Sequence, residues 1–191
     1  MKTHRFLISL GFAFFLSSCG LSGSFSGGSS GIAPAPETQP LGRASVSYNV
    51  ISCNDGDTCR VTSSAGEILK VRLAGVDAPE RTQAFGDVAQ AYLQSLVVGK
   101  DVTLVCTGNT FDRQACEVYL DGLDVGGEMV RVGLAWELQK FSNGKYTVFF
   151  QDARAARIGL WSGDRIISPY CFRLPTQWAK RRCAVNPMTP F

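Results

Sequence analysis

The most informative stretch of this sequence is ILKVRLAGVDAPE, residues 68–80. Its first part is apolar enough for a buried β-strand, yet Arg72 lies in the middle of it. The strand is predicted over 68–76 and ends at Asp77, where Pro79 fixes the backbone of a loop that leads to Glu80. A cation inside an apolar strand and two acids directly after it indicate a polar site at the strand's end.

The sequence on either side of this stretch predicts an α+β domain. Alternating apolar residues predict strands at 46–50, 58–62, 68–76, 102–106 and 115–120, the first two joined by an Asp55-Gly56 turn. Helical periodicity predicts helices at 84–98, 124–132 and 147–158, each followed by a glycine. Five strands and three helices are typical of a small β-barrel with helices packed against it.

The N-terminal residues differ in composition from this domain. Residues 1–18 have a basic start and an apolar run over 6–16, which is shorter than the ~20 residues that a spanning helix needs and is typical of an export signal. LSSC at 16–19 resembles the lipobox of bacterial lipoproteins and predicts lipidation of Cys19; the alternative is an ordinary secretory signal. Residues 20–45 are rich in Gly, Ser and Pro and predict a flexible linker. We therefore expect export and a lipid anchor in the cell envelope, at the outer membrane in a Gram-negative cell.

Histidine and net charge exclude several classes of function. The single histidine, His4, lies in the predicted signal, so the mature protein would have no imidazole for Ser-His-Asp, Cys-His or zinc chemistry. Loss of Lys2 and Arg5 with the signal would lower the net charge from +3 to +1. Bulk charge would then attract nucleic acid only weakly, and binding would depend on individually placed cations.

The cysteines predict three local disulfides. Without Cys19, six remain as three pairs close in sequence: Cys53 and Cys59, Cys106 and Cys116, Cys171 and Cys183. Export favours oxidation, and short hairpins bring such neighbours together. Soft-metal ligation is the weaker alternative because the chain has no CxxC motif. The last pair would hold the C-terminal extension, 163–191, which shows little periodicity.

Two aspartates lie at the ends of predicted strands. Asp57 follows the first turn, and Asp77 follows the third strand. A hard cation such as calcium takes several oxygen ligands in irregular geometry, so these carboxylates and the backbone carbonyl of Ala78 are candidate ligands. Both aspartates also have a structural explanation, as residues of a turn and of a helix entry.

Two arginines and a glutamate complete this set. Arg72, in the third strand, and Arg113, before the fifth, suit the neutralisation of a phosphate whose charge grows during attack by water. Glu80 could orient or deprotonate that water. The alternatives are a surface charge on an edge strand for Arg72 and a favourable helix-dipole charge for Glu80.

The same residues, in order, resemble the staphylococcal nuclease family. The likeness covers about residues 46–162 and rests on DGDT at 55–58, VRLAGVDAPE at 71–80, VYLDG at 118–122 and GLAW at 133–136. It implies an OB-fold, a five-stranded β-barrel with three α-helices. It also implies calcium-dependent, sequence-nonspecific hydrolysis of DNA and RNA to products with 3′-phosphates. The calcium ligands implied are Asp57, Asp77 and Ala78, and the catalytic side chains implied are Arg72, Glu80 and Arg113.

The chain departs from the family pattern in its substrate groove. The family often has Asp, Arg or Lys, Tyr, Gly and Arg before the fifth strand, where this chain has NTFDR at 109–113. Arg113 is kept, but Asp112 beside it could hold it away from a phosphate. Phe141 stands where the family often has a tyrosine. The alternative function is therefore an OB-fold surface module that binds nucleic acid or protein with weak or no catalysis. We expect a monomer.

Overall fold

Five strands close into a barrel. β1 (Ser47–Cys53), β2 (Thr58–Ser63) and β3 (Ile68–Leu73) form an antiparallel meander. β1 also pairs with β5 (Asp101–Thr110), and β5 pairs with β6 (Arg113–Leu120). A parallel pairing between β3 and β6 closes the sheet. The predicted α+β fold with a five-stranded OB-type barrel is confirmed, and closure means that β3, which carries Arg72, is not an edge strand.

This computed structural model describes residues 46–164, 166–177 and 183. The predicted signal (1–18), the predicted lipidation site Cys19 and the linker (20–45) lie outside the described residues and stay predictions. In the described ranges, no helix is both long enough and apolar enough to cross a bilayer.

Short strands and helices surround the barrel in the described part of the chain. The two-residue strands are β4 (Val76–Asp77), β7 (Leu123–Asp124) and β8 (Trp136–Glu137). The helices are α1 (Gly86–Val97), α2 (Val125–Arg131), α3 (Gln139–Ser142), α4 (Thr147–Ala155) and α5 (Pro169–Arg173), with a 3₁₀ turn at Gly159–Ser162. The three predicted helices are α1, α2 and α4. Periodicity did not predict α3 and α5 because each spans little more than one turn.

Two predicted boundaries were wrong for steric reasons. The strand predicted over 68–76 breaks after Leu73, since Gly75 adopts a left-handed conformation (φ 73°) and a Cβ there would lie 2.9 Å from the Cβ of Ser142. The helix predicted over 147–158 ends at Ala155. Gly159 does not cap it but packs on Gly133, whose carbonyl oxygen would lie 2.3 Å from an added Cβ.

The core lies between the barrel and the helices. The barrel contributes mainly valines, and α1 and α2 contribute the residues that the helical period placed on one face. Its almost completely buried members include Val50, Val61, Val71, Leu93, Val102, Met129 and Val130. A second cluster contains Trp136 of β8 together with Ala153, Leu160 and Trp161.

All three predicted disulfides are present. Cys53–Cys59 joins facing residues of β1 and β2, and Cys106–Cys116 joins facing residues of β5 and β6. Cys171–Cys183 lies in the C-terminal extension. Each of the first two closes a hairpin whose tip carries a predicted site residue, Asp57 in one and Arg113 in the other.

Candidate active site

Five segments meet around an open pocket of about 600 Å³. They are the turn between β1 and β2, the end of β3 with the loop that follows it, the tip of the β5–β6 hairpin, and the helices α3 and α5. The pocket is lined by Asp55, Asp57, Arg72, Ala78, Pro79, Glu80, Phe111, Arg113, Phe141 and Arg173. The structure therefore brings together the predicted site residues, with Asp77 buried directly behind the wall.

The turn that presents Asp57 is held from two sides. Cys53–Cys59 bridges its base, and the Asp57 backbone N–H donates to Asp55 Oδ1 at 3.0 Å. Gly56 lies against α1 and the loop after β4, where an added Cβ would be 2.7 Å from the Cβ atoms of Ala78 and Ala89. Only glycine fits this close approach, which places Asp57 against the Ala78 backbone.

Arg72 joins the two aspartates. One guanidinium nitrogen, Nη1, forms an ion pair with Asp57 Oδ2, and Nη2 donates to Asp77 Oδ1 at 2.8 Å and to the Val76 carbonyl at 3.1 Å. Asp57 is 5% exposed and Asp77 is 2% exposed. Because β3 is paired on both edges, the surface explanation for Arg72 is wrong, and Arg72 instead compensates two buried carboxylates.

Asp57 is further fixed by two neutral donors. The Ala78 backbone N–H donates to Oδ2 at 2.9 Å, and the Thr58 hydroxyl donates to Oδ1 at 3.0 Å. The side chain is therefore oriented before any ligand binds. Such pre-orientation favours a ligand that needs carboxylates in fixed positions.

Asp77 is placed by a pairing that sequence periodicity does not reveal. β4 pairs with β8, so that Asp77 faces Trp136, and the Trp136 ring packs 4.6 Å from that of Trp161. The strand that carries Asp77 is thus paired with a residue of an apolar aromatic cluster. Burial raises the pKa of Asp77, the hydrogen bond from Arg173 opposes this effect, and the charge of Asp57 adds to it.

Asp55 adds to the crowding of negative charge. Burial raises the pKa of Asp55, and the nearby Asp57 charge raises it further. Raised pKa values at Asp55 and Asp77 mean that each carboxylate is destabilised in its charged form. A cation bound at this end of the barrel would relieve that destabilisation.

Arg113 is directed to the pocket by the hairpin that Cys106–Cys116 closes. Its Nη1 donates to the Thr58 hydroxyl at 3.0 Å, and that hydroxyl donates to Asp57. Asp112 binds Lys70 Nζ at 2.8 Å, whereas its contact with Arg113 Nε is 3.9 Å long. Asp112 is thus engaged by Lys70 and does not turn Arg113 away from the pocket.

Two phenylalanines flank the pocket mouth. Phe111, at the hairpin tip, is 97% exposed, and Phe141, in α3, is 62% exposed. Exposed aromatic rings at the edge of a polar pocket are available to stack on unpaired bases.

Sequence reasoning missed Arg173. Its Nη1 donates to Glu80 Oε1 at 2.7 Å and to Asp77 Oδ1 at 3.1 Å, and its Nη2 donates to Asp77 Oδ2 at 2.9 Å. Arg173 ends α5, in an extension that has no helical period. Its position two residues after Cys171 was the available signal, since a bridged cysteine fixes its neighbours against the domain.

Comparison with known proteins agrees with this geometry. Residues 70–163 match the family described as staphylococcal nuclease homologue. An uncharacterized endonuclease of Haemophilus influenzae is 34% identical over 134 residues, which cover 69% of this chain and 72% of that protein. An uncharacterized endonuclease of Escherichia coli O157:H7 is 33% identical over 137 residues, 70% of this chain and 89% of that protein.

A plant protein shares part of the same region. Staphylococcal-like nuclease CAN1 of Arabidopsis thaliana is 30% identical over 120 residues, which cover 62% of this chain and 35% of the plant protein. With the barrel and the pocket described above, these matches show that the chain belongs to the staphylococcal nuclease family and is a nuclease.

Proposed function

We propose that this nuclease hydrolyses DNA and RNA phosphodiesters without sequence preference, with calcium as its metal, and leaves 3′-phosphates on its products. The observation that supports this most strongly is the arrangement of Arg72, Asp57 and Asp77. One guanidinium holds two buried carboxylates together at the wall of a pocket that Glu80 and Arg113 also line.

The donors at this end of the barrel suit a hard cation. Asp57 and Asp77 supply carboxylate oxygens, and all described cysteines are in disulfides. Among the described residues, no three His, Cys, Asp or Glu side chains already converge as a metal cluster. Calcium takes about 6–8 oxygen ligands, so the Ala78 carbonyl, water and a substrate phosphate would complete the shell. A bound calcium would supply positive charge beside the scissile phosphate.

The protein's own side chains would perform the remaining steps. Arg113 would bind the non-bridging oxygens of the phosphate and stabilise the charge that grows on them. Arg72 would keep the two aspartates in place and present its guanidinium to the same phosphate. Glu80 would accept a proton from the attacking water and orient that water opposite the leaving 5′-oxygen. As the water oxygen bonds to phosphorus, the bond to the 5′-oxygen breaks and that oxygen takes a proton from solvent, which gives a 3′-phosphate and a 5′-hydroxyl.

The aromatic residues support a broad choice of nucleic acid. Phe111 and Phe141 carry no hydroxyl, so they would engage bases by stacking, which tolerates any sequence. Stacking does not depend on the sugar 2′-hydroxyl, and this supports both DNA and RNA as substrates.

We place this activity outside the cytoplasm, on a lipid anchor at Cys19. Three disulfides within one small domain support an oxidising compartment. Mass spectrometry of protein purified from its own envelope should find an N-terminal Cys19 with added acyl chains. An unmodified Cys19 in the mature protein would contradict the anchor and leave the nuclease proposal intact.

Digestion assays test the metal and the products. Plasmid DNA, single-stranded DNA and RNA should all be cut in calcium and stay intact with a chelator. The 5′-hydroxyl ends produced should accept labelled phosphate from polynucleotide kinase without phosphatase treatment.

Glu80→Gln is the matched control for contaminating nucleases, because it keeps the shape of the side chain and removes its basicity. We expect it to lower turnover ~10²–10⁴-fold, the range for loss of a general base. Full cleavage by the wild type in chelator would reject the calcium requirement. Binding without cleavage under all metal conditions would favour a binding module instead.

A further inference from the structure

We propose that Arg173 is an internal counter-ion that competes with the metal for Asp77, while it also binds Glu80, so that the C-terminal extension lowers the metal affinity of the site. This inference rests on the proposed calcium site. It assigns a function to a residue of the C-terminal extension, beyond residues 70–163 that match the family model.

The contacts of Arg173 are the first observation that supports this competition. The guanidinium of Arg173 covers both oxygens of Asp77 and also reaches Glu80, with three donor–acceptor distances of 2.7–3.1 Å. A two-pronged guanidinium–carboxylate contact is among the stronger ion pairs in proteins. A metal bound through the same Asp77 oxygens needs the lone pairs that Arg173 now engages. The metal ion and the Arg173 guanidinium would also repel each other at this short distance, so both cannot bind the same two oxygens of Asp77.

Arg173 and Arg72 differ in their freedom to move. The Arg72 side chain is 14% exposed and belongs to a strand paired on both edges, whereas the Arg173 side chain is 41% exposed and ends a short helix. No strand pairing of the barrel has to break for the Arg173 side chain to leave Asp77. Arg173 can therefore turn into the open pocket when a metal takes its place, while Arg72 stays.

The extension keeps Arg173 close after it turns away. Cys171 is buried and bridged to Cys183, and the Ser168 hydroxyl caps α5 by accepting from the Cys171 N–H. Gln83 Nε2 donates to the Ile167 carbonyl at 2.5 Å, which ties the segment to the loop before α1. Phe172 lines an apolar pocket with Phe85, Trp136 and Leu160. A tethered competitor has a high effective concentration, so it lowers metal affinity at every protein concentration.

Calorimetric titration of calcium into the full chain, without nucleic acid, tests the competition. Arg173→Gln should bind calcium at least ~10-fold more tightly than wild type, since a hydrogen bond between charged groups is worth about a tenfold change or more. Arg173→Lys should lie between them, because it keeps the charge but loses the planar fork. Arg60→Gln, an exposed arginine on β2, is the matched control and should leave the affinity unchanged.

A second variant tests the tether. Cys171→Ala/Cys183→Ala removes the bridge but keeps Arg173, and it should also raise calcium affinity. Thermal melting in chelator gives a readout that needs no metal. A double-mutant cycle with Arg173→Gln and Glu80→Gln should show an interaction energy between the two positions.

The outcomes separate this inference from the proposed function. Equal calcium affinity in wild type and Arg173→Gln would overturn the competition and leave the calcium site standing. No interaction energy in the cycle would overturn the part of the inference that concerns Glu80, by showing that Arg173 does not stabilise the fold through that contact. If neither wild type nor any variant binds calcium, the calcium proposal and the competition both fail.

Discussion

Replacing Arg72 with Met is expected to lower the free energy of unfolding by about 3–5 kcal/mol, the usual cost of removing one partner from a buried ion pair. Asp57 and Asp77 are nearly inaccessible, and both lose a charged donor in this variant. Denaturant unfolding in chelator at pH 7 measures the loss.

The loss of unfolding free energy in Arg72→Met should depend on pH. Burial raises the pKa of Asp77 in the folded protein, so an uncompensated charge there destabilises the fold above that pKa. Below the unfolded value of ~3.9 the carboxyl is neutral in both states, and the penalty disappears. The difference between Arg72→Met and wild type should therefore shrink as the pH falls towards about 4.

Arg131→Met is the matched control for stability. Arg131 donates from Nε and Nη2 to the two carboxylate oxygens of Glu128, but its side chain is 57% exposed. Solvent weakens such a pair, so the loss should stay below about 1 kcal/mol. Equal losses for the two variants would mean that Arg72 acts as an ordinary surface charge and does not compensate the buried aspartates.

Replacing Arg113 with Ala is expected to lower turnover ~10²–10³-fold, the effect of removing one pre-oriented donor to a transition state. Melting temperature should change little, because the Arg113 side chain makes one hydrogen bond, to Thr58, and a long ion pair with exposed Asp112. Initial rates on single-stranded DNA in saturating calcium measure the loss.

Asp112→Asn provides a local control for Arg113. It removes the charge beside Arg113 and the ion pair with Lys70, but leaves the contact with Thr58 in place. Its turnover should stay close to that of wild type. Turnover near wild type in Arg113→Ala would mean that another cation of the pocket, such as Arg72 or Arg173, stabilises the phosphate.

Much of this site follows from short-range patterns. The Asp-Gly turn, the apolar strand with Arg72 and the Pro-fixed loop each occupy a few consecutive residues, so local rules place their side chains at strand ends. Local pairing of the cysteines also follows from closeness in sequence, because facing positions of a hairpin are a few residues apart. The ends of the strands and helices were less predictable from the sequence. Left-handed Gly75 breaks a strand because of a contact with Ser142, which lies far along the chain.

The sequence by itself therefore determined the barrel, the disulfides and most members of the polar set, since local periodicity, turn chemistry and motif order are enough for these. Only the tertiary structure decided that Arg72 bridges Asp57 and Asp77, that Asp77 pairs with Trp136, and that Arg173 binds Asp77 from 96 residues away. No period or spacing encodes a contact across that separation. Such contacts exist because the closed barrel and a bridged extension bring distant charges together where burial makes their pairing necessary.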